Sequence, residues 1–148
     1  MVGIPFLALL FAILETAFVF LASQTLNLAV NDTSRLIMTG QAQAAAYTAA
    51  NFQSAVCANL VAFFNCNNLH LNVRIASSFG SASTTPPLVN GQLNTSNLQY
   101  QMGGPGDIVV VQVYYQWPIV VPLLDLLANQ AGNNRLLVGT AVFENEPY

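Results

Sequence analysis

The sequence predicts an α+β protein: a long N-terminal transmembrane and amphipathic helix, then a small antiparallel β-sheet with short helices. Three features of the chain lead there. An apolar run opens it, a helix-compatible stretch continues that run, and the later residues fall into alternating β-type segments broken by proline and glycine.

The opening run, Val2 to Ala22, reads VGIPFLALLFAILETAFVFLA and holds one ionisable group, Glu15. A helix of that length rises about 30 Å, the thickness of a bilayer's hydrocarbon core. Pro5 stands in the first turn, where its missing N–H costs nothing. No basic leader precedes the run and no small-residue cleavage site closes it, so a secretory signal peptide fits poorly. Residues 1–23 are therefore expected to span the membrane, and residues 24–148 to form an extracytoplasmic α+β domain. A carboxylate at the centre of a span costs about 2.5–3.5 kcal/mol on insertion scales. Two readings of Glu15 stand side by side. It contacts a neighbouring helix inside the membrane, or it lies near the interface and reaches water.

From Ser23 to Asn51 there is no proline and a single glycine, Gly40, and Leu26, Val30, Thr33 and Ile37 recur at helical spacing. The helix is expected to continue through this stretch, with Asp32 and Arg35 as an i,i+3 pair. The small residues of QAQAAAYTAANF suit close packing on a neighbouring helix. A second short helix is expected over residues 54–64. It carries Cys57, one of only two cysteines; Cys66 follows in AVCANLVAFFNC. That spacing is neither C-x-x-C nor a zinc pattern, and a disulfide is the economical reading. It would contribute about 2–3 kcal/mol on the chain-entropy model. Disulfides persist outside the cytoplasm, which places the residues after the span there.

Three β segments follow. Leu69, Leu71, Val73 and Ile75 alternate with His70, Asn72 and Arg74. Residues 107–117, DIVVVQVYYQW, put Val109, Val111, Val113, Tyr115 and Trp117 on one apolar face, and residues 136–144 form the third strand. A polar connection, residues 77–106, joins the first two strands, with Pro86-Pro87 and Gly103-Gly104-Pro105-Gly106 as breakers. After Pro118, a short helix over LLDLLANQ is expected to open at Pro122 and stop at Gly132. The stretch WPIVVPLLDLL is too short to span. It reads as a helix buried on the sheet; the alternative lays it on the membrane surface, with Tyr114 and Trp117 at headgroup level.

Composition excludes several functions. Only 6% of the residues are charged, mean hydropathy is +0.51, and the three cations are all arginines; soluble domains are about 25% charged. Such a surface suits lipid or other subunits. A net charge of −3 with scattered arginines argues against nucleic acid. His70 is the only histidine, so neither a metal cluster nor a Ser-His-Asp arrangement is expected. The glycines at 103–106 lack the lysine and context of a phosphate loop. Asn31-Asp32-Thr33 and Asn94-Thr95-Ser96 match the glycosylation pattern, which is common by chance. No catalytic residue, cofactor, metal or small-molecule substrate is expected.

The chain resembles the TadE-like pseudopilins of the bacterial tight-adherence (Tad) pilus. The resemblance is carried by PFLALLFAILETAFVFLASQTLNLAVNDTSRLIMTGQAQ, by VVVQVYYQWPIVVPLL and by the closing AVFENEP. It implies a pilin-like fold and a non-catalytic structural protein that assists assembly of an adhesion pilus. It also implies a single pass through the bacterial inner membrane, with the N-terminus cytoplasmic and the following domain periplasmic. Its partners would be the lipid bilayer and other membrane or pilus-assembly proteins. Glu15 corresponds to an acidic residue often seen after the leucine-rich run in that family. One departure concerns processing: cutting after Gly3 would leave Ala8, not a glutamate, at the fifth position. A structural subunit of another membrane complex is the second reading.

Overall fold

The computed structural model describes residues 1–121, 128, 130 and 132–148. Helix α1 runs from Gly3 to Met38, followed by α2 (Gln41–Ala44) and α3 (Ala49–Ala58). Strand β1 (Leu69–Ala76) comes next, then a two-stranded hairpin of β2 (Leu88–Val89) and β3 (Gln92–Leu93). The long strands β4 (Ile108–Pro118) and β5 (Asn134–Glu144) complete the chain. The main sheet is antiparallel, in the order β1-β4-β5. This is the expected α+β arrangement of a long apolar helix, short helices and a small antiparallel sheet. The helix expected over LLDLLANQ lies largely outside the described residues.

Where α1 ends departs from expectation. Helix was expected through residue 51, and α1 stops at Met38. Gly40 takes a φ of +75°, and its N–H donates to the Ile37 carbonyl at 3.0 Å, a left-handed helix ending that glycine adopts most readily. A Cβ at Gly40 would also overlap the Tyr148 ring. Backbone from the far end of the chain fills the same place, because Glu146 N–H donates to the Met38 carbonyl at 2.9 Å. A second break falls at Ala46, with φ +50°. Helix α3 then restarts earlier than residue 54. Thr48 Oγ1 accepts from Asn51 N–H at 3.2 Å, and Asn51 Oδ1 accepts from Thr48 N–H at 3.0 Å, a reciprocal cap.

The sheet lies along α1. Gly139 of β5 packs against Leu26 and Val30, and Thr140 N–H donates to Asn27 Oδ1 at 3.3 Å. From Glu15 to Met38, α1 rises about 34 Å at about 1.5 Å per residue. Strand β4 covers about 33 Å at about 3.3 Å per residue. Helix and strands therefore match in height, with Pro118 level with Glu15 and Glu144 near Met38.

The core forms between this helix and one sheet face. Ala22, Leu26, Val30 and Ile37 of α1, and Phe52 and Val56 of α3, meet Val73, Val109, Val111, Val113 and Tyr115. The opposite face of β4 is buried too. Tyr114 packs with Leu93 and Leu136, while Gln112 Nε2 donates to the Thr84 carbonyl at 2.8 Å. The connection expected to be merely polar thus folds over the sheet as a second cover. It also shields the β1 edge, where Val73 exchanges 2.8 Å hydrogen bonds with Gln99 and Gln101.

Candidate functional site

The site stands where α1 meets the end of β4. Proline at 118 supplies no N–H and closes the strand. Ile119 N–H donates to the Asn133 carbonyl at 3.1 Å, after which the chain leaves the ladder. The next two N–H groups turn to α1: Val120 N–H donates to Glu15 Oε1 at 2.6 Å, and Val121 N–H to Glu15 Oε2 at 2.9 Å. Both oxygens of a half-buried carboxylate are engaged by backbone, a charge-assisted arrangement stronger than neutral hydrogen bonds.

Apolar groups surround this clamp. Phe11, Leu14 and Phe18 of α1, Phe63 from the segment after α3, and Tyr115, Trp117 and Pro118 of β4 line a shallow hollow of ≈ 550 Å³. Phe64 holds the wall in place, with ring centroids 4.9 Å from Tyr115 and 5.8 Å from Trp117. The Tyr115 hydroxyl accepts from Asn65 N–H at 3.2 Å, which fixes the loop that carries Phe63. Such a hollow suits apolar surface, and its polar content, a carboxylate, is already occupied by the protein's own backbone.

The other singled-out residues fall as follows. Cys57 and Cys66 are joined, their Cα atoms 5.8 Å apart, tying the end of α3 to the turn before β1. Asp32 and Arg35 are both exposed and no ion pair joins them; in water such a pair gains little over separate hydration. Tyr114 has 0% of its surface exposed, so it is not available at a membrane interface; β4 turns it beneath the long connection. Trp117, its companion in that reading, is half-buried at the hollow. His70 is half-buried on β1, and desolvation lowers its pKa below the usual 6.5. Among the described residues no group of three His, Cys, Asp or Glu side chains could hold a metal. The sequence alone left out Val120, Val121 and Phe63. A proline after a β-rich run signals that backbone donors will lose their ladder, but nothing local signals which group receives them.

Residues 1–35 match the family model of TadE-like protein. The match covers the apolar helix, Glu15 included, and ends before the sheet begins. Against the curated proteins and the solved structures, nothing matches this chain. Within the TadE-like segment, α1 is long and apolar enough to cross a bilayer. Its side chains from Met1 to Phe11 are all exposed, clear of the sheet.

Proposed function

We propose that this chain is a TadE-like pseudopilin, a non-catalytic structural protein that assists assembly of an adhesion pilus. In this reading α1 holds it in the bacterial inner membrane, with the N-terminus cytoplasmic and the sheet in the periplasm. The observation that carries the reading is the TadE-like match over residues 1–35, on a helix whose first turns project beyond the folded domain. The cystine supports an oxidising compartment for the domain. The exposed small residues Ala44, Ala45, Ala46, Ala49 and Ala50 offer a surface on which sister helices can approach closely.

A structural subunit of another membrane complex is the second reading, favoured by a surface poor in charge and by a match that stops at residue 35. Gentle detergent extraction from native membranes separates the two. Pilus-assembly proteins should co-purify with the chain, and its intact, non-reduced mass should fall two hydrogens below that of the dithiol. Recovery with one fixed complex unrelated to pili would overturn the first reading in favour of the second.

A further inference from the structure

We propose that the Glu15 end of the sheet is seated in the outer-leaflet interface of the bilayer. There Phe63, Trp117, Val120 and Val121 meet lipid, and Glu15 is the acceptor that lets backbone beyond β4 enter apolar surroundings. The proposal rests on the reading of α1 as a membrane span and goes beyond it, because it fixes how deep the folded domain stands.

Relative height carries it. Large apolar side chains of α1 stay exposed at Phe18, beside the hollow, and further along at Phe20 and Leu21. The sheet end is already attached to the helix at Glu15. The lipid-facing zone and the folded domain therefore overlap from Glu15 to Leu21, about 9 Å along the axis at about 1.5 Å per residue. A bilayer that wets Phe20 and Leu21 meets the sheet end as well.

That end has the surface such a position requires. Phe63 is 50% exposed and Val120 80% exposed. Phe11, Leu14 and Phe18 line the hollow between them and are themselves exposed, so the hollow continues into the apolar surface of α1, and its carboxylate, Glu15, is held by backbone N–H groups. This continuity commits the occupant to lipid acyl chains. Among the described residues, Asp107, Glu144 and Glu146 lie at the opposite end of the sheet, where Asn145 N–H meets the Asp107 carbonyl. At the near end Trp117 stands opposite Arg135 across the β4–β5 ladder, a residue pairing suited to headgroup level.

The backbone is prepared as well. Irregular chain at membrane depth is tolerated only where protein satisfies its polar groups. Ile119, Val120 and Val121 each donate their N–H, to Asn133 and to the two oxygens of Glu15. A carboxylate in the apolar run and a proline-broken strand end are each unfavourable near lipid; together they satisfy one another.

Depth-dependent quenching in the full chain tests this. Trp117 is the only tryptophan, so Trp117→Phe gives a dark background and Val120→Trp places a reporter on the seat. The protein is reconstituted at low density in phosphatidylcholine vesicles. The expected result is blue-shifted emission, lost with acyl-brominated lipid and retained with aqueous iodide. Loss with iodide and retention with brominated lipid would place the sheet end in water and overturn the seating. Protection from both quenchers would also overturn it, since protein rather than lipid would then cover the site. Phe6→Trp in the same background reports on α1 alone. If brominated lipid reaches position 6 but not 120, the seating fails and the span stands; if it reaches neither, the spanning reading fails first. The unaltered chain, with Trp117 as its own reporter, repeats the measurement should Val120→Trp disturb folding.

Discussion

At Gly139 the lack of a side chain sets how closely β5 approaches α1. A Cβ there would stand 2.7 Å from Val30 Cγ2 and 3.1 Å from the Leu26 carbonyl oxygen. Helix backbone cannot yield as a flexible side chain can, so Gly139→Ala should destabilise the fold by about 1–3 kcal/mol. A lowered denaturation midpoint in detergent checks this; an unchanged one would mean that the sheet shifts freely on the helix. Tyr100 makes a different prediction. Its hydroxyl is buried without a hydrogen-bond partner, and desolvation, reinforced by Tyr47, raises its pKa from 10.0 to about 12. A raised folded-state pKa means that the neutral form is favoured by folding. Its contribution is complete below pH 10 and is lost as pH climbs toward about 12. Tyr100→Phe should flatten that alkaline loss and leave stability at neutral pH unchanged or higher, as read from unfolding curves across this range. Glu15 shows what single residues conceal. Its place in an apolar run is plain in the sequence, whereas its partners stand 105 and 106 residues away, beyond the reach of any local pattern.

At the scale of elements, those with a strong period were legible and those set by single residues were not. β1, β4 and β5 announce themselves by β-branched and aromatic runs between breakers, and each was placed to within two residues of its observed start. Continuous helix through residue 51 followed from good helix formers, and it failed at Gly40 and Ala46, where tertiary packing chose left-handed backbone. The β2–β3 hairpin turns on Asn90-Gly91, both with positive φ, a turn signal present in the sequence and hidden within a stretch that reads as loop throughout. The disulfide was legible because two cysteines leave one pairing. It closes a short loop at the end of α3, so Cys57→Ser with Cys66→Ser should cost about 2–3 kcal/mol. Proteolysis should then begin between residues 58 and 66, near Phe63; unchanged protection there would show that Phe64 and Tyr115 hold the segment without the cystine.

For the whole molecule, fold class followed from order alone: apolar helix, then short helices, then alternating strands. The two covers of the sheet did not. The buried residues of β4 include Val110, Gln112 and Tyr114 as well as the face that α1 covers, so this strand is enclosed on both sides. Sequence alternation suggested one apolar face, because Gln112 reads as a solvent-facing residue until Thr84 arrives to accept its side-chain amide. The assembled shape also has a mechanical consequence. Helix and strands lie side by side for nearly the full height of the sheet, and their attachments are spread along it: Glu15 to Val120 and Val121, Asn27 to Thr140, Met38 to Glu146. Tension along the helix axis loads these attachments in shear, together with the Leu26 and Val30 packing on Gly139. They must slip in concert rather than peel one by one. A pull on α1 is thereby shared along the whole height of the sheet.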